Sequence, residues 1–150
     1  REARWRRTMS TESDGETRVI LVDDKPLNRR VMQLILAHFG GDVTAVSSVD
    51  AALAALASRS ADLVFVDLDS DRTDGLRAIE TLRSASLEPR PALVAVGSDR
   101  GGAFADEARA AGADAFLRAP VDAGAVRALL DLPNAENADA RAGGAARIAE

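Results

Sequence analysis

The chain has 150 residues, of which 47% are hydrophobic and 29% charged, and its formal net charge is −5. This composition is typical of a soluble globular domain with one hydrophobic core, and the negative charge argues against a general affinity for nucleic acid. The absence of cysteine excludes disulfides and thiolate metal sites. No apolar run approaches the roughly 18 residues of a membrane span and no signal peptide is visible, which predicts a cytoplasmic location without membrane contact.

The two ends of the chain lack an apolar pattern. Residues 1–17 are polar and are interpreted as a linker. Residues 133–150 are rich in Ala, Asn, Gly and Arg, and are interpreted as a C-terminal linker or tail. The predicted domain is therefore residues 18–132. Polar segments at both ends, and a first residue other than Met, favour a piece of a longer protein.

Within this domain, short apolar runs alternate with segments of helical pattern. The runs predict β-strands at 19–22, 43–46, 63–66, 92–96 and 115–117. The segments between and after them predict α-helices at 26–39, 48–58, 75–84, 102–111 and 122–131. Most runs are continuous rather than alternating, which is typical of strands covered on both faces. Ser48 and Asp122 are predicted N-caps, and Pro26 suits a first helical turn.

Five βα units with short loops predict an α/β fold, a doubly wound parallel sheet with helices on both faces. In such a sheet the ligand site lies beyond the carboxyl ends of the strands, at the topological switch point. Asp23 and Asp24 follow the first strand, and Asp67 follows the third. Because close like charges are costly unless a cation or a proton intervenes, these carboxylates predict a site for Mg²⁺, which prefers hard oxygen ligands.

Four motifs resemble, in order and spacing, those of the response-regulator receiver domain. They are residues 20–31 (Ile-Leu-Val-Asp-Asp-Lys-Pro-Leu-Asn-Arg-Arg-Val), residues 63–67 (Leu-Val-Phe-Val-Asp), residues 74–76 (Asp-Gly-Leu), and residues 112–117 with Pro120. The first motif is similar to receivers attached to hybrid histidine kinases. The resemblance extends over about residues 18–132. It implies a five-stranded, flavodoxin-like sheet of order 2-1-3-4-5 and a place in a bacterial two-component phosphorelay.

The resemblance also implies roles for particular residues. Asp67 is expected to be the phospho-acceptor. Asp23, Asp24, Asp67 and the backbone carbonyl of Asp69 are expected to hold Mg²⁺, weakly. Phe116 is expected to occupy the place of the aromatic residue that moves inward on activation.

Two positions depart from the family's pattern. The family stabilises the phosphoryl group with a Ser or Thr that ends the fourth strand and a Lys that ends the fifth. Here these positions fall on Gly97 and Ala119, while Ser98 is one residue late and Arg118 one residue early. An aspartyl phosphate adds roughly −1.5 to −2 charges, so the loss of both groups predicts weak phosphorylation and poor coupling to a conformational switch.

A third departure lies in the loop after the third strand. Receivers usually carry an apolar residue at the place of Ser70 and a proline at the place of Asp71. We therefore expect a more flexible and more acidic loop here.

These departures favour a non-catalytic pseudo-receiver module of a hybrid histidine kinase, which docks to kinase or receiver domains in the same or a partner chain. One alternative is a working phospho-acceptor that takes phosphate on Asp67 with Mg²⁺. A second alternative is a sensor of a small ligand, such as a cyclic dinucleotide. The residues of the predicted switch or ligand face are Gly97, Ser98, Phe116, Arg118, Ala119 and Pro120.

Overall fold

The computed structural model describes residues 16–98 and 102–131, in which strands and helices alternate. The strands are β1 (Thr17–Val22), β2 (Gly41–Val46), β3 (Leu63–Asp67), β4 (Ala92–Gly97) and β5 (Ala115–Arg118). The helices are α1 (Pro26–His38), α2 (Val49–Ser58), α3 (Arg72–Ser84), α4 (Ala103–Ala111) and α5 (Ala123–Leu130). Most of the first predicted linker and all of the second lie outside the described residues. None of the described helices combines the length and the apolar character needed to cross a membrane.

The first strand begins slightly earlier than the predicted domain. Thr17 belongs to β1, and its buried hydroxyl donates a hydrogen bond to the backbone carbonyl of Leu130 at the end of α5. This contact joins the first strand to the last helix.

All five strands run parallel in one sheet of order β2-β1-β3-β4-β5, which confirms the predicted order. The chain moves outward in opposite directions from β1 and β3, so the switch point lies between these two strands. In the register of the sheet Val22 lies beside Val66, and Asp67 lies beside Val96. The residues that follow β1, β3 and β4 therefore meet at one edge of the sheet.

Helices cover both faces of the sheet, as predicted. Leu21 and Phe65 face α1 and α5, whereas Ile20 and Val64 face α2, α3 and α4. Both sets are almost completely buried, which explains why the strands are continuous apolar runs. Each fully buried side chain of this size contributes roughly 1.5–3 kcal/mol to folding.

The starts of three helices agree with the sequence predictions. The Ser48 hydroxyl accepts a hydrogen bond from the N–H of Ala51 (3.1 Å), and the Asp122 carboxylate accepts one from the N–H of Ala125 (3.0 Å). Helix α1 begins at Pro26. These three predictions are confirmed.

The predicted start of the third helix, residue 75, was wrong by three residues. Helix α3 begins at Arg72, because the Asp71 carboxylate accepts a hydrogen bond from the N–H of Asp74 (3.1 Å) and acts as the N-cap. Gly75 lies in the first turn of the helix, where a Cβ would come within 2.4 Å of the Leu68 side chain. The glycine therefore allows α3 to pack closely on the end of β3.

Candidate functional site

A cleft of about 320 Å³ lies at the carboxyl ends of β1 and β3. Its walls come from these strand ends and from the first turns of α2 and α3. The acidic residues that line it are Asp23, Asp24, Asp67, Asp71 and Asp74. The three carboxylates that the sequence placed at one edge of the sheet thus line one cleft at the switch point.

Asp23 is the most enclosed carboxylate of the cleft, with only 3% of its surface exposed. One oxygen accepts a hydrogen bond from the N–H of Lys25 (3.0 Å), and the other accepts one from the side-chain amide of Asn28 (2.5 Å). The guanidinium of Arg29 donates to the backbone carbonyl of Asp23 (2.8 Å). The first turn of α1 therefore fixes the position of Asp23.

Burial raises the pKa of Asp23 above its ordinary value of 3.8. The negative charges of Asp67 and, to a smaller degree, Asp24 act in the same direction, while the hydrogen bonds from Lys25 and Asn28 oppose the shift. The carboxylates of the cleft therefore repel one another, and a bound cation would relieve that repulsion.

The half-buried Asp67 ends β3 and is surrounded by its own loop. One carboxylate oxygen accepts hydrogen bonds from the hydroxyl (2.7 Å) and the N–H (3.0 Å) of Ser70, and the other accepts one from the N–H of Asp69 (3.3 Å). The sequence analysis had treated Ser70 only as part of a loose loop. Asp side chains commonly accept a hydrogen bond from the backbone N–H two residues later, so the bond from Asp69 was predictable from the sequence, whereas the contact with the Ser70 hydroxyl was not.

The chemistry of the cleft fits a divalent cation with oxygen ligands. Within residues 16–98 and 102–131, no three His, Asp or Glu side chains form a group that could coordinate one metal ion directly. Mg²⁺ does not need such a group, because it usually binds through one or two carboxylates and keeps several waters. Asp23 and Asp67 are suited to that role, and the ion would supply positive charge to a phosphoryl oxygen.

The end of β4 is filled by aromatic packing. A Cβ added to Gly97 would lie 3.2 and 3.3 Å from two ring carbons of Phe104, and 3.4 Å from the ring of Phe116. The centroids of these two rings are 6.3 Å apart. The rings therefore lie so close to position 97 that a Cβ there would require the Phe104 ring to shift by a few tenths of an ångström.

Ser98 is engaged by the loop after β3. One carboxylate oxygen of Asp69 accepts hydrogen bonds from both the N–H (2.9 Å) and the hydroxyl (3.0 Å) of Ser98. This hydroxyl therefore binds Asp69, and Asp67 takes its hydrogen bonds from Ser70 and Asp69 instead.

The residues of the predicted switch or ligand face differ widely in exposure. Gly97 and Phe116 are buried, Arg118 and Ala119 are partly buried, and Ser98 and Pro120 are exposed. Phe116, 6% exposed, packs in the core between the sheet and α4. The N–H of Ala119 donates to the carbonyl of Gly97 (2.6 Å), so backbone atoms join the ends of β4 and β5.

Helix α1 carries an apolar surface that the sequence analysis missed. Within the described residues, the large hydrophobic side chains that are exposed are Leu27 (78%), Val31 (48%) and Leu34 (53%). Their spacing of four and three residues places them on one side of the helix. The buried residues Met32 and Leu36 face the sheet. The signal in the sequence was that apolar residues cover more of the circumference of α1 than one buried face requires.

The fold and the cleft define the class of flavodoxin-like α/β domains with an acidic site at the switch point. The family model of the response regulator receiver domain matches residues 19–131, and the chain belongs to that family. It is therefore a receiver domain of two-component signalling, a class that interacts with histidine kinases or phosphotransfer partners.

The relatives are consistent with this assignment. Sensor protein GacS of Pseudomonas syringae pv. syringae is 32% identical over 112 residues, which cover 73% of this chain and 12% of that protein. The CheY-like receiver domain from Methylobacillus flagellatus has a TM-score of 0.61 and 28% identity, covering 73% of this chain and 91% of that one. The chain thus spans only a small part of the sensor kinases that it matches.

One further solved structure shares the fold. It is the receiver domain of sensor histidine kinase PA1611 from Pseudomonas aeruginosa, with a TM-score of 0.66 and 22% identity. The match covers 77% of this chain and 94% of that one, and that structure is described with a magnesium ion in its active-site cleft.

Proposed function

We propose that this domain is a cytoplasmic pseudo-receiver of a hybrid histidine kinase, which acts by docking to kinase or receiver domains in the same or a partner chain. Phosphorylation of Asp67 then contributes little to its output. The observation that carries this proposal is the packing at Gly97, where a Cβ would come within 3.3 Å of the Phe104 ring. A hydroxyl at the end of β4 would require that ring to move.

The end of β5 supports the same proposal. Ala119 offers no ammonium group to a phosphoryl oxygen. At about 4 Å and an effective dielectric near 20, one opposite charge is worth roughly 4 kcal/mol, and a hydrogen bond to a charged group adds about 1.5–3 kcal/mol. Among the described residues, the cleft is lined by five aspartates against one cation, Arg77, so a phosphoryl group without these partners is less well stabilised.

The surface that we propose for docking is the exposed stripe of α1, formed by Leu27, Val31 and Leu34. Its spacing fits an amphipathic helix that presents apolar residues at matching intervals. Arg30, which is also exposed, lies at one border of the stripe and favours an acidic residue at the edge of the partner's apolar face. Because the similar GacS proteins are sensor kinases of which the chain spans 12%, we propose a helix of a histidine kinase as the occupant.

The phosphorylation side of the proposal is tested by intact mass spectrometry. The chain is incubated with Mg²⁺ and a small acyl phosphate, beside Asp67→Asn as the negative control and Ala119→Lys as a variant with a restored cation. We expect a phosphorylated fraction in the wild type that is close to that of Asp67→Asn, and about tenfold higher in Ala119→Lys, which corresponds to 1.4 kcal/mol. A wild type that is phosphorylated as fully as Ala119→Lys would contradict the proposal.

A second candidate is a working phospho-acceptor with altered chemistry. It is favoured by the Ser70 hydroxyl, which lies 2.7 Å from the Asp67 carboxylate and supplies a donor near the reacting oxygen. The Asp67 carboxylate would attack the phosphorus of the acyl phosphate, forming an aspartyl phosphate and releasing the donor's carboxylate, with Asp23, Asp67 and the carbonyl of Asp69 as the groups that would hold Mg²⁺. In that case Ser70→Ala lowers the phosphorylated fraction and Ser70→Thr retains it. Under the leading proposal neither variant has a measurable effect.

The structure does not support the small-ligand alternative. Its aromatic residue, Phe116, is buried in the core, so its ring cannot stack on a ligand without leaving the packing against α4.

A further inference from the structure

A backbone hydrogen bond and the side chain of Asp69 join the loop after β3 to the end of β4. Asp67 lies beside Val96 in the sheet, and the N–H of Leu68 donates to the carbonyl of Val96 (2.8 Å). Asp69 and Ser98 are the next neighbours beyond that bond. At this point the backbone hydrogen bonds between the two segments end. The Asp69 carboxylate instead accepts hydrogen bonds from the N–H (2.9 Å) and the hydroxyl (3.0 Å) of Ser98.

This contact gives the end of β4 an anionic acceptor at Ser98, one residue after the position whose hydroxyl the family uses. A phosphoryl group on Asp67 would bring strong acceptor oxygens close to the end of β4. The carboxylate of Asp69, two residues further along the loop, already binds both donors of Ser98. Hydrogen bonds to an ionised oxygen are stronger than those between neutral groups, so the end of β4 has an acceptor in the unmodified chain.

Aromatic packing fixes the other side of the same strand end. Gly97 precedes Ser98, and the ring of Phe104 lies directly on it, with Phe116 buried behind. The guanidinium of Arg72 lies 5.2 Å from the centroid of the Phe104 ring. Arg72 also pairs with Glu107 (3.4 Å), which connects the start of α3 to α4. The end of β4 is therefore held between Asp69 on one side and Phe104 on the other.

We propose that Asp69 is an internal clamp that takes the place of a phosphoryl group as the anionic acceptor for the end of β4. Together with Phe104 it holds Ser98 and Phe116 in one arrangement, and Phe116 stays buried without any modification of Asp67. This inference goes beyond the proposed function, because it concerns how the face of α4 and β5 is fixed and holds whether or not α1 docks to a kinase.

The test follows two sites by NMR in the 150-residue chain. Hydrogen exchange of the Ser98 amide reports the clamp, and ¹⁹F spectra of the chain labelled with fluorophenylalanine report Phe116. The chain has four phenylalanines, and Phe116→Leu assigns the resonance. Asp69→Ala removes the clamp, while Asp69→Asn keeps a side-chain oxygen in the same place. Asp71→Ala is the matched control, since it removes an aspartate of the same loop that caps α3.

In Asp69→Ala we expect Ser98 amide exchange to become about tenfold faster or more, and the Phe116 resonance to shift. Asp69→Asn, which keeps an oxygen but loses the charge, is expected to lie between the wild type and Asp69→Ala in both measurements, and Asp71→Ala to leave the Phe116 resonance in place. Beryllofluoride, a phosphoryl mimic, is expected to leave the wild-type Phe116 resonance unchanged.

An unchanged Phe116 resonance in Asp69→Ala overturns the proposal, even if the Ser98 amide exchanges faster, because the contact would then be local. A large movement of Phe116 with beryllofluoride in the wild type also overturns it. If Asp69→Ala does not fold, Ser98→Ala removes only the hydroxyl and must shift the Phe116 resonance in the same direction by a smaller amount. None of these outcomes bears on docking through α1.

Discussion

Among the single residues of the cleft, Asp23 has the least favourable surroundings for a negative charge. It is nearly enclosed, and burial together with the charge of Asp67 raises its pKa. Only the hydrogen bonds from Lys25 and Asn28 compensate. A charge kept in such a position lowers the stability of the fold, and its presence fits a residue retained for binding a cation.

We predict that Asp23→Asn stabilises the chain at pH 7 when Mg²⁺ is absent. The pKa of Asp23 is raised in the folded state. The contribution of Asp23 to the free energy of unfolding is therefore most favourable below its ordinary pKa of 3.8, and it is lost as the pH rises through the raised pKa. Asn cannot ionise and avoids this loss, which should raise Tm by a few degrees at pH 7 and by less near pH 3.

The control for this prediction is Asp24→Asn, at the exposed neighbour of Asp23. We expect little change in Tm from that variant. Thermal unfolding of both variants at the two pH values is the measurement. A Tm of Asp23→Asn at or below that of the wild type at pH 7 would show that the Asn28 hydrogen bond outweighs the buried charge.

At the scale of elements, the strands and most helix starts were predictable because they depend on local patterns. Continuous apolar runs indicated buried strands, and Ser48 and Asp122 indicated helix starts that the structure confirms. The start of α3 was missed because the prediction relied on the Asp74-Gly75 pair, whereas the Asp71 carboxylate caps the helix three residues earlier.

Contacts between distant elements were not predictable in the same way. The pair of Asp69 and Ser98 depends on where β3 and β4 end relative to each other, and 29 positions separate the two residues in the chain. The ring of Phe104 over Gly97 depends on how α4 lies on the sheet. The sequence showed that the hydroxyl expected at position 97 is missing, but not that the Phe104 ring packs close to that position.

The contact between β4 and α4 gives a prediction for stability. Gly97→Ser places a Cβ within 3.3 Å of the Phe104 ring, and such overpacking typically costs about 1–3 kcal/mol. In the double variant with Phe104→Ala the new side chain has room. We therefore expect the cost of Gly97→Ser to become smaller in that background, by about 1 kcal/mol or more.

Urea unfolding of the wild type, both single variants and the double variant measures this coupling. Additive effects, with the same cost of Gly97→Ser in both backgrounds, would show that the ring does not restrict position 97. The packing would then give no support to the pseudo-receiver proposal.

At the scale of the whole molecule, the ends of the strands differ in what they carry. The ends of β1 and β3 carry Asp23, Asp24 and Asp67, which line one cleft. The ends of β4 and β5 carry Gly97 and Ala119, which do not line that cleft, and there Phe104 packs close to Gly97 while Asp69 binds Ser98. Under the proposed function, cation binding at the cleft and docking through the exposed stripe of α1 are therefore separate properties.

The most direct test of docking without phosphorylation is the autokinase rate of the sensor kinase in which we propose that this domain acts. We predict that Asp67→Asn leaves the regulated rate nearly unchanged, whereas Val31→Glu in the α1 stripe changes it by about tenfold, or 1.4 kcal/mol of coupling. Ala57→Glu, on the exposed side of α2, is the matched control and should behave as wild type. If Asp67→Asn abolishes regulation while Val31→Glu has no effect, phosphorylation of Asp67 is the signal and the docking proposal is wrong.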